Sequence, residues 1–149
     1  MLIRVLAAGL AAAVVFFLGG WVIWGILLRS YFEGTLSPAG KAVMSAEPNF
    51  LPLVLAEIVF GLLYAFILDY WASVRTFVGG AKAGAIIGFG ISLATDLQMG
   101  AFMEKMHNGP SLMPLVLDVL GVSILAAIAG GVIGQVLGMM NKGGASSAD

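Results

Sequence analysis

The chain has 149 residues, 60% of them hydrophobic and only 10% charged, with a net charge of −1 and a mean hydropathy of +1.05. A soluble domain carries about 25% charged residues, so this chain has too few to coat a water-facing surface, and no basic cluster points to a nucleic-acid partner. With no cysteine and one histidine, His107, it has no disulfide or thiolate chemistry and too few ligands for a histidine-built zinc or haem site; no cofactor and no metal are expected.

Residues 5–28 form an uncharged apolar run, long enough at about 1.5 Å per residue to cross a hydrocarbon core of about 30 Å with some tilt. Arg4 before such a run also fits a signal peptide. However, the run continues through Gly19-Gly20-Trp21-Val22-Ile23-Trp24-Gly25 with no polar cleavage region behind it, so a retained first span is expected. Trp21 and Trp24, with Tyr31 and Phe32 beyond, fit an aromatic belt at its far end.

The polar connection 29–49 follows. Ser37-Pro38 reads as an N-cap with proline at the first helical position, predicting a short interfacial helix over 38–45. The second span is predicted over 50–71, with Pro52 in its first turn, where a missing N–H does no harm. Residues 72–80 read as a tight turn into a third span, 81–103, and Asp69 near Arg75 and Lys82 predicts a local ion pair there. Asn108-Gly109-Pro110 marks the next turn, and Ser111 is placed to cap a fourth span, 112–140. There Gly130, Gly134 and Gly138 recur every four residues, and Gly84 and Gly88 do the same in the third span. These are small-residue stripes of the kind that let membrane helices approach closely. Residues 141–149 read as a frayed tail.

The fold class is therefore all-α, one transmembrane domain over 1–149, a four-helix membrane bundle with both termini on the same side. Arg4, Arg75, Lys82 and Lys142 would lie at that side and Arg29, Lys41 and Lys105 at the other. Positive-inside counting then favours cytoplasmic termini by a thin margin.

Antiparallel placement of the spans yields the main functional expectation. Glu57, Asp96 and Asp118 each fall roughly 10 Å below the same surface, on three different helices. Helical spacing puts Asp96 on one face with Ala85 and Ser92, Glu57 with Gly61, Tyr64 and Leu68, and Asp118 with Val122, Leu125 and Ala129. A charged carboxylate in hydrocarbon costs about 2.5–3.5 kcal/mol on insertion scales, and three together repel, so a shared proton or cation is expected. Tyr64, Ser92, Thr95, Gln98 and Ser123 are the candidate polar neighbours. Two plainer readings compete: each acid is held by a hydroxyl, indole or backbone group that sets helix register, or the span ends lie two to four residues away and the acids are in headgroup territory.

Other constellations are weaker. Gly79-Gly80-Ala81-Lys82 lacks the spacing of a phosphate loop. Glu104, His107 and Asn108 read as solvated loop rather than a metal site, and the methionines as packing residues. No catalytic residue is expected.

The runs Phe16-Phe17-Leu18-Gly19-Gly20-Trp21 and Thr76-Phe77-Val78-Gly79-Gly80-Ala81-Lys82-Ala83-Gly84-Ala85-Ile86-Ile87-Gly88-Phe89, with Asp96-Leu97 and Asp118-Val119, carry a resemblance to a family. Over most of its length the chain resembles the small bacterial four-span membrane proteins grouped as domain of unknown function one thousand seven hundred and sixty-one. The resemblance implies a bacterial four-span protein, hence the cytoplasmic (inner) membrane, and brings no activity or site residues with it.

Three functions follow as expectations. The first is a transport or permeation protein whose carboxylate layer binds a proton, cation or polar solute. As four helices enclose little space, it would be a homo-oligomer in the lipid bilayer, with the Gly130–Gly134–Gly138 face at a helix contact. The second is a non-enzymatic accessory subunit of a larger membrane complex. The third, an intramembrane enzyme acting on a lipid, lacks a recognisable nucleophile, metal set or phosphate motif.

Overall fold

The computed structural model describes residues 2–45, 47–103, 106–108 and 112–145. These are all-helical, and four helices are long and apolar enough to span a membrane: Leu2–Leu27, Phe50–Trp71, Phe77–Phe102 and Leu112–Asn141. The first comprises α1 (Leu2–Gly20) and a π-helical segment, Trp21–Leu27; α2 (Arg29–Thr35) and α3 (Pro38–Val43) form the connection; α4 (Phe50–Phe66) ends in a second π-helical segment, Ile67–Trp71; α5 (Phe77–Phe102) and α6 (Leu112–Ala145) complete the bundle.

Local chemistry sets the helix starts. Ser37 Oγ accepts from the Gly40 N–H at 3.0 Å with Pro38 at the first turn, Asn49 Oδ1 accepts from the Leu51 N–H at 3.2 Å, and Thr76 Oγ1 accepts from the Gly79 N–H at 3.1 Å. Each satisfies a first-turn donor that has no partner within its own helix. The Thr76 cap is why the third span begins at Phe77, not 81: the connection is shorter than expected, and Gly79 and Gly80 are helical. That connection turns at Ser73, which takes a left-handed φ of 49°. The short helix expected over 38–45 is confined to Pro38–Val43, and the connection holds a further helix, α2, braced by the Arg29–Glu33 pair at 2.8 Å. At the other end, α6 runs to Ala145, so 141–145, expected to fray, are helical; Arg4 Nη1 donates to Asn141 Oδ1 at 3.2 Å and pins that turn. The expected caps and turns at Ser111 and Gly109-Pro110, and the tail beyond 145, lie outside the described residues.

Two close pairings organise the bundle, α1 with α4 and α5 with α6, and α1 on α6 joins them; α4 and α5 scarcely meet. Each pairing uses backbone approach. A Cβ on Gly61 would strike the Gly9 carbonyl and one on Gly9 would lie 2.9 Å from Leu62 Cα; likewise a Cβ on Gly80 would strike the Gly130 carbonyl, and one on Gly84 that of Ala126. The line through Gly80, Gly84, Gly88 and Ser92 is the buried face of α5. Gly130, Gly134 and Gly138 are occupied within the chain, against Gly80, the Thr76 carbonyl and the Arg75 carbonyl respectively. The shared core is correspondingly small in side chain: Ala8, Ala12, Ala65, Ala126 and Ala129 with Leu68, Ile133 and Leu137 at its centre. Large apolar residues such as Leu10, Val59, Ile86 and Ile128 face outward, which suits lipid rather than water as the surrounding solvent.

Candidate functional site

The expected acids do come together. Glu57 of α4, Asp96 of α5 and Asp118 of α6 line one cleft of about 250 Å³, with Tyr64, Ser92, Thr95 and, from the first span, Phe16 and Trp24. All three carboxyl-bearing residues are half-buried. Gln98 is exposed and stands outside this lining, and Ser123 turns back on its own helix, donating to the Val119 carbonyl at 2.6 Å.

Asp118 is the anchored member. Trp24 Nε1 donates to Oδ1 at 2.7 Å, and Ser92 Oγ donates to Oδ2 at 3.4 Å. Two donors from two other helices thus hold one carboxylate, and a hydrogen bond to a charged acceptor in a low-dielectric site is among the stronger polar contacts a protein makes. Trp24 was expected in an interfacial belt. It turns inward because it sits in the π-helical segment, whose Leu28 N–H reaches back five residues to the Ile23 carbonyl at 2.8 Å; the wider turn shifts side chains off the helical register that spacing arguments assume. Trp21 stays on the outer face, 53% exposed and stacked on Phe50 at 6.2 Å.

Asp96 is differently placed. It stands beside Asp118 and Ser92 in the cleft lining, yet its Oδ2 atom is buried with no hydrogen-bond partner among the described residues. One carboxyl is therefore held by donors while its neighbour presents an unsatisfied oxygen to the same space. Glu57 faces them across the cleft from α4. The three do not close into a metal cage: among the described residues no group of three acidic or imidazole side chains is gathered to hold a metal ion.

A second polar cluster lies at the opposite end of the bundle. Asp69, 4% exposed, is 2.7 Å from Arg75 Nη2 and 3.7 Å from Arg4 Nη2. Neither oxygen has an aligned hydrogen bond among the described residues, so the contact is charge pairing. The expected Asp69–Arg75 pair is present, but the second cation is Arg4 from α1. Lys82 is exposed instead, because with the helix starting at Phe77 its position points outward. Asp69 also sits in a π-helical segment, where the Ala72 N–H reaches the Ile67 carbonyl at 3.1 Å.

His107 belongs to neither cluster. Its Nδ1 is 3.3 Å from Thr35 Oγ1, while the Asn108 N–H donates to the Thr35 carbonyl at 2.9 Å and Asn108 Nδ2 to that of Leu36 at 3.0 Å. These contacts tie the two long connections together. Glu104, its proposed companion, lies outside the described residues.

No family model, no curated protein and no solved structure matches this chain.

Proposed function

We propose that this protein is a small membrane transport or permeation protein that binds a proton, cation or polar solute in the cleft between Glu57, Asp96 and Asp118. The observation that carries the reading is the inequality of the adjacent pair. Asp118 is satisfied by Trp24 and Ser92, whereas Asp96 keeps a buried oxygen with no donor among the described residues. In an apolar bundle such an oxygen calls for a proton or a ligand, since an ionisable residue inside a span is otherwise costly. Asp118 then acts as the fixed acceptor, Asp96 as the group that exchanges its proton or ligand, and Glu57 as the charge on the facing wall. The membrane is proposed to be a bacterial cytoplasmic membrane with both termini inside. A homo-oligomer, or a place in a larger membrane complex, remains part of the proposal. Because the Gly130–Gly134–Gly138 face is filled by α5 and the turn before it, any such assembly uses another face.

The test is flux in liposomes. Wild-type protein reconstituted with an internal pH-sensitive dye should dissipate an imposed proton or cation gradient faster than protein-free vesicles, and Asp96→Asn should abolish the difference. Equal rates in wild type and Asp96→Asn would remove Asp96 from the mechanism.

A further inference from the structure

The cleft lacks a wall on one side. Because α4 and α5 scarcely meet, the residues flanking the gap, Phe60 and Ile91, are 42% and 40% exposed although both line the cleft. Both also lie within apolar spans, so the opening faces sideways, at the depth of the acyl chains.

The polar groups inside are matched to something other than a hard divalent cation. A hard divalent cation needs about six or more closely gathered oxygens, and the three acids are not so gathered. The surface between them is apolar and aromatic: Phe16, Phe60, Tyr64, Val122 and Leu125. One further group asks for a partner. Tyr64 is 3% exposed and packs edge-on against Phe16 at 5.4 Å, yet no group among the described residues hydrogen-bonds its hydroxyl, which lies at the cleft lining beside Gly88. The ring is buried while the hydroxyl opens on the cleft, and a phenolic hydroxyl facing an apolar cavity ordinarily finds a partner there.

We infer that the cleft takes a small organic cation, a primary ammonium carrying an apolar substituent, which enters from the bilayer between α4 and α5. Its N–H groups satisfy Asp96 and the Tyr64 hydroxyl, its charge is matched by Glu57 and Asp118, and its apolar part lies on the aromatic walls, where ring faces also favour a cation. A volume of about 250 Å³ falls below the range typical of drug-sized ligands, which limits the ligand to about one ring or a short chain. The inference rests on the reading of the cleft as a binding site and names the ligand class for it.

The experiment is titration calorimetry of 2-phenylethylammonium into the full-length chain in nanodiscs of zwitterionic lipid, with empty nanodiscs subtracted. Saturable binding of one ligand per chain is expected, undiminished by an equal excess of potassium chloride. Glu57→Gln should weaken it by about tenfold or more, as for loss of one buried charge partner, and Ile91→Trp, a change at the exposed rim that leaves the core intact, should block entry. Tyr64→Phe should weaken the primary ammonium but not its N-trimethyl analogue, which has no N–H to offer. Equal binding of the neutral isostere propylbenzene, or binding indifferent to both Glu57→Gln and Ile91→Trp, would overturn the inference. Absence of saturable binding would overturn it too. In that case the transport reading survives if Asp96-dependent proton or alkali-cation flux is present, and falls with it if that flux is absent.

Discussion

Trp24 and Asp118, 94 residues apart in sequence, are joined by a 2.7 Å hydrogen bond from the indole N–H to the carboxylate. It links the first span to the fourth at the level of the cleft, so it both fixes the acid and ties the α1–α4 pair to α6. Trp24→Phe keeps most of the ring volume and removes the donor. It should destabilise the protein by about 1–3 kcal/mol, the range for leaving a buried acceptor short of a partner. Trp21→Phe, at an exposed and stacked position, should leave the unfolding midpoint in detergent nearly unchanged. Equal midpoints for the two variants would show that the bond contributes nothing.

Backbone contact between α5 and α6 makes a sharper prediction. At Gly80 an added Cβ would strike the Gly130 carbonyl, whereas at Gly90 it would meet nothing within 4 Å. Gly80→Ala should therefore cost about 1–3 kcal/mol through overpacking. Gly90→Ala should stabilise by up to about 1 kcal/mol through helix propensity. Thermal unfolding followed by circular dichroism gives both signs, and a neutral Gly80→Ala would contradict the packing described.

Asp69 is enclosed between Arg75 and Arg4. Asp69→Asn leaves two guanidinium groups facing each other without a counter-charge, and removal of one partner from a buried pair costs about 3–5 kcal/mol. Arg4→Met should cost less, since its contact is longer and its side chain partly exposed, and Lys82→Met should cost nothing measurable. Comparable losses for Lys82→Met and Arg4→Met would restore the local pairing that sequence proximity suggests.

The tie between the two long connections is local. Asn108→Ala removes the 3.0 Å bond to the Leu36 carbonyl, an exposed contact for which about 0.5–1.5 kcal/mol is an upper scale. Amide exchange at Leu36 and Ser37 should accelerate while the global unfolding midpoint stays put. A fall in global stability would mean that these connections are part of the cooperative core.

Much of this was legible from residue order because span-length apolar runs and intramembrane acids are local signals. The four span-length helices, the gathering of Glu57, Asp96 and Asp118 in one cleft, and the inward faces of Tyr64 and Ser92 all follow from length and from the 3.6-residue period. Two of the contacts that spacing does not show share a cause. An indole or hydroxyl partner is among the readings expected for the acids, and Asp118 has both. But Trp24 and Asp69 lie in π-helical segments, which advance side chains by a different angle, so counting along an ideal helix does not single out Trp24 for Asp118 or Arg4 for Asp69. Ser123 leaves the cleft for another reason, since a serine within a helix can satisfy itself on its own preceding turn, as it does on the Val119 carbonyl. The early start of α5 was readable in Thr76 as an N-cap, but the pair of glycines after it looked like a turn; here they are small because α6 passes against them. α2 left a trace only in the four-residue spacing of Arg29 and Glu33.

The measurement that bears most directly on the central claim is infrared difference spectroscopy of the reconstituted protein during a pH step, comparing wild type with Asp96→Asn and Asp118→Asn. If the cleft exchanges a proton or cation at Asp96, the wild type should show a carboxyl band that changes protonation, and that band should vanish in Asp96→Asn and shift in Asp118→Asn, where the neighbouring charge is gone. A spectrum identical in wild type and Asp96→Asn would contradict the account and leave the three acids as structural polar contacts between helices.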